Sequence, residues 1–243
     1  MKTVELSARM QALVDLVSKG KVVCDIGCDH GFVSIYLVQQ KIAPRVYAMD
    51  VRTGPLERAK EHIREYGLEK YIETRLSDGL AALKPGEADC MICAGMGGPL
   101  MMKILEEGRK KAGAMSELIL QPQSEVPAFR SFLRKEGYKV VDENMIYEDG
   151  KYYPMMKAVP ACKEEMQTQN LSEEQMLMDM YGEILLKKKH PVLEQYLAFQ
   201  KNNLEELSER LNGQGGERAV KRAEEVNKEL HLIQKALAYM KNV

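Results

Sequence analysis

Three polar side chains crowd one glycine turn. Within VVCDIGCDHGFVSIYL, residues 22–37, Asp25, Asp29 and His30 stand beside Gly27 and Gly31. The run before Gly27 is apolar enough for a buried strand, and FVSIYL after Gly31 has the spacing of a helix entry. Strand, glycine turn and helix together make a nucleotide-type site, because glycine lets a ligand approach the backbone. The dinucleotide fingerprint G-x-G-x-x-G needs its second glycine where the pyrophosphate docks. Here that position is Asp29. A carboxylate there repels phosphate and favours a guest with positive charge.

S-adenosylmethionine is such a guest, with a sulfonium, an ammonium and no phosphate. Asp25, at the strand end, is placed to meet the ammonium directly or through water, and the turn backbone to hold the methionine carboxylate. Two more acids repeat this placement. Asp50 ends RVYAMD, where a carboxylate accepts from both ribose hydroxyls. Asp78 with Gly79 ends the third strand, where a carboxylate accepts from an adenine amino group and glycine leaves room for the ring. The fourth strand ends in AGMGG, residues 94–98, whose glycines let a flat acceptor approach. The fifth ends in QPQ, where Gln121 and Gln123 flank Pro122; their amides suit a base edge, and a hydrogen-bonded turn explains them almost as well.

The elements that must position these residues alternate. ELSARMQALVDLVS, residues 5–18, puts Leu6, Met10, Leu13, Val14 and Val17 on one helical face. VVCDIG then leads to a helix over about 31–41, RVYAMD to PLERAKEHIREYG, and IETRLSDGL to a short turn or helix. ADCMICAG leads to a helix near 98–111, and ELILQPQ to VPAFRSFLRKEG. KVVDENMIYE and KYYPMMKAV, separated by Asp149-Gly150, read as an antiparallel hairpin. Alternating strands and helices give a parallel sheet covered on both faces. Closed by a reversed hairpin, this is the order of class I methyltransferases, whose ligand lies at the carboxyl ends of the strands.

After residue 160 the pattern changes. CKEEMQTQN reads as a polar linker, and Ser172 with Gln175 as a capping box for a helix to about 189. Leu193, Leu197, Gln200, Leu204, Leu207 and Leu211 form one coiled-coil seam. Ala223, Val226, Leu230, Ile233, Leu237 and Met240 form another, beyond NGQGG. The economical arrangement is an antiparallel helical hairpin within one chain, hence a monomer. The expected fold is therefore α/β: a Rossmann-like methyltransferase domain over residues 1–160, and a helical coiled-coil domain over 161–243.

Composition limits the remaining classes. Of 243 residues, 45% are hydrophobic and 29% charged, as in ordinary soluble domains. No run of about 18 apolar residues exists, and MKTVELSARM lacks the core of an export signal, so no membrane partner and a cytoplasmic location are expected. Five cysteines, at 24, 28, 90, 93 and 162, are an odd number for a disulfide framework. Cys90 and Cys93 lie three apart on a strand and point to opposite faces, so no metal is expected. The net charge of -1 exerts no global pull on nucleic acid. An RNA surface must be local, and candidates are Arg109-Lys110-Lys111, Lys187-Lys188-Lys189-His190 and Lys221-Arg222.

With these residues in view the chain resembles the bacterial tRNA (adenine-22 N1)-methyltransferase family over essentially its whole length. The resemblance rests on LSARM at 6–10, DIGCDHG at 25–31, AMDVRTGPLERA at 48–59, RLSDGL at 75–80, AGMGG at 94–98, LILQPQ at 118–123 and DGKYYPMM at 149–156. It implies methyl transfer from S-adenosylmethionine to N1 of an adenine in the D-arm of tRNA. It implies cofactor contacts at Arg9, Asp25, Gly27, Cys28, His30, Asp50, Val51, Asp78, Gly79, Ala94, Gly95, Met96 and Gly97. Asp29, as negative potential beside a purine that gains positive charge, and Gln121 are assigned to the acceptor side, with His30 shaping the pocket. The strand-four motif lacks the N-P-P-Y type sequence that holds exocyclic amines, which fits a ring-nitrogen acceptor. Tyr152 and Tyr153 are candidates for stacking on a flipped base. The alternative is a class I methyltransferase acting on another RNA base or a small molecule, with the coiled coil as a partner interface.

Overall fold

The computed structural model describes residues 3–161, 172–212 and 217–242. The chain divides into two compact units, Met1–Gln167 and Thr168–Val243. In the first, seven strands form one sheet: β1 Val23–Ile26, β2 Val46–Asp50, β3 Ile72–Leu76, β4 Cys90–Met96, β5 Glu117–Pro122, β6 Tyr138–Glu148 and β7 Lys151–Pro160. Their order is β3-β2-β1-β4-β5-β7-β6. The first five pair in parallel, and β7 runs antiparallel to both β5 and β6. The chain works outward from β1 to β3 and restarts on the other side of β1 at β4. The carboxyl ends of β1 and β4 therefore face a crevice where the connections diverge.

Helices cover both faces: α1 Ala8–Val14, α2 Phe32–Gln39, α3 Thr53–Glu65, α4 Gly98–Glu107, α5 Arg109–Ala112 and α6 Val126–Lys135. Every residue of β1, β2 and β5 is buried, as parallel strands under two helical layers must be. Alternation sorts their side chains into two cores. Val23, Val46, Ile92 and Ile119 join Leu13, Ile35 and Ile63 on one face. Cys24, Met49, Met91 and Leu118 join Met101, Ile104 and Phe129 on the other. Cys90 lies in the first core and Cys93 in the second, on opposite faces as their spacing requires. The four described cysteines are buried and free. Burial pushes the Cys93 thiol up to about 12, so it stays protonated at neutral pH. Cys162 lies outside the described residues.

Glycine explains one departure from the expected elements and one expected turn. The helix expected near 98–111 is divided into α4 and α5 at Gly108, which packs against Leu80 with no room for a side chain. At the hairpin tip Asp149 (φ 49°) and Gly150 (φ 76°) both have positive φ, the geometry of a type I′ turn.

The N-terminal segment is tied to the far end of the sheet. Ser7 caps α1 by accepting from Met10 N, and Glu148, the last residue of β6, accepts from Arg9 N and Ser7 Oγ. After α1, Glu117 at the start of β5 accepts from Ser18 N at 2.8 Å. Lys157 of β7 pairs with Glu117 at 2.8 Å and donates to Leu16 O and Ser18 Oγ.

The second unit contains α7 Glu173–Tyr181, α8 Glu183–Lys187, α9 Pro191–Asn212 and α10 Glu217–Asn242. Ser172 Oγ accepts from Gln175 N, half of the expected capping box, and Gln175 Nε2 donates to Asp179 Oδ1. Gly182, at φ 88°, breaks the helix expected to run to about 189. Leu193, Leu197 and Leu204 of α9 are buried, as are Val226, Ile233 and Met240 of α10. Ala236 takes the buried place expected for Leu237. Ser208 Oγ, near the end of α9, lies 3.4 Å from Asn227 Oδ1 in the first half of α10, as in an antiparallel hairpin. The polar linker expected from Cys162 and the glycine link at 213–216 lie outside the described residues.

Glu117 is 3% exposed, so removing its partner leaves a carboxylate stranded in the core. Lys157→Met is expected to lower unfolding free energy by about 3 kcal/mol in urea titrations at pH 7.

Candidate functional site

The carboxyl ends of β1 to β4 border a cleft of about 490 Å³. Ten of the residues proposed from the sequence line it: Arg9, Gly27, Asp29, Asp50, Val51, Asp78, Gly79, Ala94, Gly95 and Met96. Gly27 follows β1 with φ 76°, and a Cβ there would collide with the Met96 methyl. Its N–H and that of Cys28 both donate to Met49 O, while Gly31 N donates to Cys28 O. These turn amides are therefore committed to the protein. This pairing takes the amides of Gly27, Cys28 and Gly31 out of the set expected to hold a ligand carboxylate.

The acids at the strand ends are held by local bonds. Asp50, 5% exposed, accepts from Arg52 N at 2.9 Å. Ser77 fixes the Asp78-Gly79 turn by donating to Gly79 O and accepting from Ala82 N. Gly79 has φ 50°, and Ile104 lies 3.0 Å from where its Cβ would be. At the end of β4 the ladder shifts between Ala94 and Met96, a bulge formed by Gly95 at φ 76°. The bulge turns the 94–96 edge into the cleft.

Five proposed residues lie outside the lining, each for a visible reason. Asp25 points to the face covered by α2, is 5% exposed, and accepts from Ser34 Oγ at 2.7 Å. Cys28 is buried in the same core. His30 turns its ring toward Phe32. Gly97 caps α4 beside Ser124. Gln121 is 1% exposed, and its amide oxygen accepts from Arg9 Nη1 and Gly95 N. It stands behind the cleft wall, bonded to two residues that line it. Asp29 does line the cleft, but its carboxylate is half exposed and pairs with Arg58 at 3.1 Å, which offsets the negative potential expected of it.

The sequence reading missed Met10, Ile26, Arg52, Ser77, Leu100 and Ile104, and gave Gln123 only as an amide suited to a base edge; all of these line the cleft. Leu100 and Ile104 sit four apart on α4, a helical spacing that marks a shared face. Arg9 enters from α1, with its guanidinium 4.8 Å from the Tyr153 ring centre and 3.8 Å from Glu148. Its buried Nε has no hydrogen-bond partner. Tyr153 thus packs under Arg9, and Tyr152 against Tyr147. Among the described residues no group of three His, Cys, Asp or Glu is arranged to hold a metal ion, and no helix is long and apolar enough to cross a membrane.

Residues 6–156 match the family model described as a methyltransferase domain. A curated tRNA (adenine(22)-N(1))-methyltransferase of Bacillus subtilis (strain 168) is 39% identical over 158 residues, covering 65% of this chain and 66% of that protein. The crystal structure of the B. subtilis M1A22 tRNA methyltransferase TrmK superposes with a TM-score of 0.80 at 31% identity, over 96% of this chain and 98% of that one. The structure of M. capricolum TrmK in complex with S-adenosyl-homocysteine gives a TM-score of 0.78 at 25% identity, over 97% and 99% of the two chains.

Burial pushes the Asp25 carboxyl up to about 6; the Ser34 hydroxyl opposes the rise and Asp50 adds to it. An unfolded aspartate titrates near about 3.9, so the folded chain holds an extra proton between about pH 4 and 6. Stability contributed by this proton falls as pH rises through that window, by up to about 3 kcal/mol. Asp25→Asn is therefore expected to match the wild type below about pH 4 and to exceed its stability above pH 6, read from urea midpoints across the range.

Proposed function

The chain belongs to the tRNA (adenine-22 N1)-methyltransferases within the methyltransferase-domain family, and on that premise we propose that it methylates N1 of adenine 22 in the D-arm of tRNA, using S-adenosylmethionine. One observation carries the reading. Asp50 and Asp78, at successive strand ends, face one cleft, while Arg9 presents a buried Nε with no hydrogen-bond partner in its wall.

These groups fit the cofactor. Arg9 suits the methionine carboxylate, a role the committed turn amides leave open. Asp50 suits the ribose hydroxyls, and Asp78 the adenine amino group. Val51 and Leu100, 59% and 47% exposed at the cleft, offer apolar cover for a ring. Asp25 reaches the ammonium only through an intervening group, being sealed behind the turn. Once bound, the cofactor supplies an electrophilic methyl group.

What the protein must add is alignment and charge. No side chain has to remove a proton first, because N1 of neutral adenine offers a lone pair. The bulge at Gly95 and the Gln123 side chain border the space for the acceptor. Asp29, tempered by Arg58, faces the positive charge that develops on the purine. His30 is freed from any role as a base.

Gripping the tRNA body falls to exposed cations, through phosphates more than bases. Several candidates are already engaged: Arg109 pairs with Glu136, Lys111 donates to Leu80 O and Ala81 O, Lys187 pairs with Glu183 and Arg222 with Glu225. The helical unit adds the remaining surface. The chain works as a monomer in the cytoplasm, with the α9–α10 seam covered within the molecule.

The decisive experiment is transfer of labelled methyl to unmodified tRNA, followed by mapping of the labelled nucleotide. Label at N1 of adenine 22 is expected; label at another base would favour the broader RNA-methyltransferase reading, and none would overturn both. Arg9→Ala is expected to raise the cofactor Kd about 10- to 100-fold in calorimetric titration, as loss of a charge-assisted bond does. Deleting residues 161–243 is expected to weaken tRNA binding far more than cofactor binding.

A further inference from the structure

Beside the mouth of the cleft, three flat rings form a partly exposed rank. The Phe32 ring lies 4.6 Å from that of His62 at an interplanar angle of 19°, and 5.8 Å from that of His30 at 5°. His30 and His62 are 5.7 Å apart at 23°. Phe32 opens α2 yet is 38% exposed, while Ser34, Ile35 and Leu37 of the same helix are buried. A helix start rich in apolar residues would ordinarily turn its phenylalanine inward; here the core is filled by the residues that follow.

The backbone holds this arrangement against its own preference. His30 has φ 58° and ψ −14°, a conformation that suits glycine. It is kept by the His62 Nδ1–H, which donates to His30 O at 2.8 Å, and by Gly31 N donating to Cys28 O. Strain of this kind persists where the surroundings over-determine it, and clusters at ligand clamps. The imidazole is what the position gains over glycine.

The rank is continuous with the cleft. Asp29 lines the cleft, and its Oδ1 lies 3.7 Å from His30 Nε2 and 3.1 Å from Arg58 Nη2. Arg58, 47% exposed, meets the same Asp29 carboxylate as His30, and Arg52, 72% exposed, lines the adjoining cleft, so cations stand between the rings and the cleft. Flat rings with guanidinium groups at their edge match the chemistry of a single-stranded nucleotide, a base face with a phosphate beside it.

We infer that His30, Phe32 and His62 form a stacking platform for one unpaired base of the RNA substrate, a neighbour of the base that enters the cleft, with Arg58 and Arg52 facing its backbone. The inference rests on the tRNA reading above. Extruding the target base strips its neighbours of a stacking partner, and the platform replaces it. Because every base has a π face, the contact stabilises the flipped arrangement without reading sequence.

The test uses the full chain and an unmodified tRNA transcript. Phe32→Ala is expected to raise the tRNA Kd about tenfold, leave the cofactor Kd unchanged, and leave the slope of log Kd against log salt unchanged. Phe32→Trp is expected to restore binding. Arg58→Gln should do the reverse, lowering that slope by about 0.7. A tRNA Kd within twofold of wild type for Phe32→Ala would overturn the platform and leave the ring to a protein partner or to packing alone. Parallel loss of cofactor binding would overturn it in favour of a folding role, and a lowered salt slope in favour of a lost phosphate contact. A wild-type protein that methylates no tRNA would refute the underlying reading itself, which separates the two failures.

Discussion

The amide oxygen of Gln121 accepts two hydrogen bonds, from Arg9 Nη1 at 3.1 Å and from Gly95 N at 3.2 Å. Each donor needs it. Gly95 is the bulged residue of β4, where the ladder to β5 shifts register and its N–H loses the regular acceptor. The Gln121 side chain, one strand over, supplies the missing oxygen. Arg9 arrives from α1 and would otherwise leave part of a charged group unmet in a buried wall. With Gln121 1% exposed, the shared acceptor is shielded from water although both donors stand at the cleft, and the two bonds tie α1, the bulge and β5 together. The position of the glycine edge and the presentation of Arg9 follow from that one amide.

Much of this was legible in the residues. Strand and helix periods set the order of the sheet, and Asp149-Gly150 announced a hairpin that the positive φ values of both residues bear out. Asp50 and Asp78 were readable because a residue that ends a parallel strand has little choice of edge. What periodicity does not disclose is which neighbour claims a side chain. Asp25 retreats because it shares a face with Val23, and Ser34 of α2 meets it there. The turn amides are claimed by Met49 O from the adjacent strand. Gln121 and Gln123 look alike in QPQ, yet the first lies within β5 and is buried, while the second follows the last residue of the strand and lines the cleft. Gly182 and Gly108 break helices whose apolar pattern runs through them.

The charges around the cleft are graded by environment, although three of the acids are the same residue type. Asp25 is sealed, and burial raises its carboxyl so that it keeps its proton up to about pH 6. Asp50 is nearly buried but has a backbone N–H to bind its charge. Asp29 is half exposed and shares its charge with Arg58. Such grading suits a ligand that carries an ammonium, a carboxylate and hydroxyls at once. It also suits a transfer that moves positive charge and no obligatory proton, where field and alignment replace acid–base chemistry.

The bonds that place Arg9 span almost the whole first unit. Arg9 N and Glu148 are 139 residues apart, as are Lys157 and Ser18. A nascent chain leaving the ribosome can build β1 to β3 early, since each pairs with a near neighbour, but it cannot finish the cleft wall until the last hairpin has emerged. Contacts of such long sequence separation form slowly and late. The part of the protein made first is thus the part completed last. During synthesis, the glycine turn exists for a time without the arginine that would let it retain a ligand.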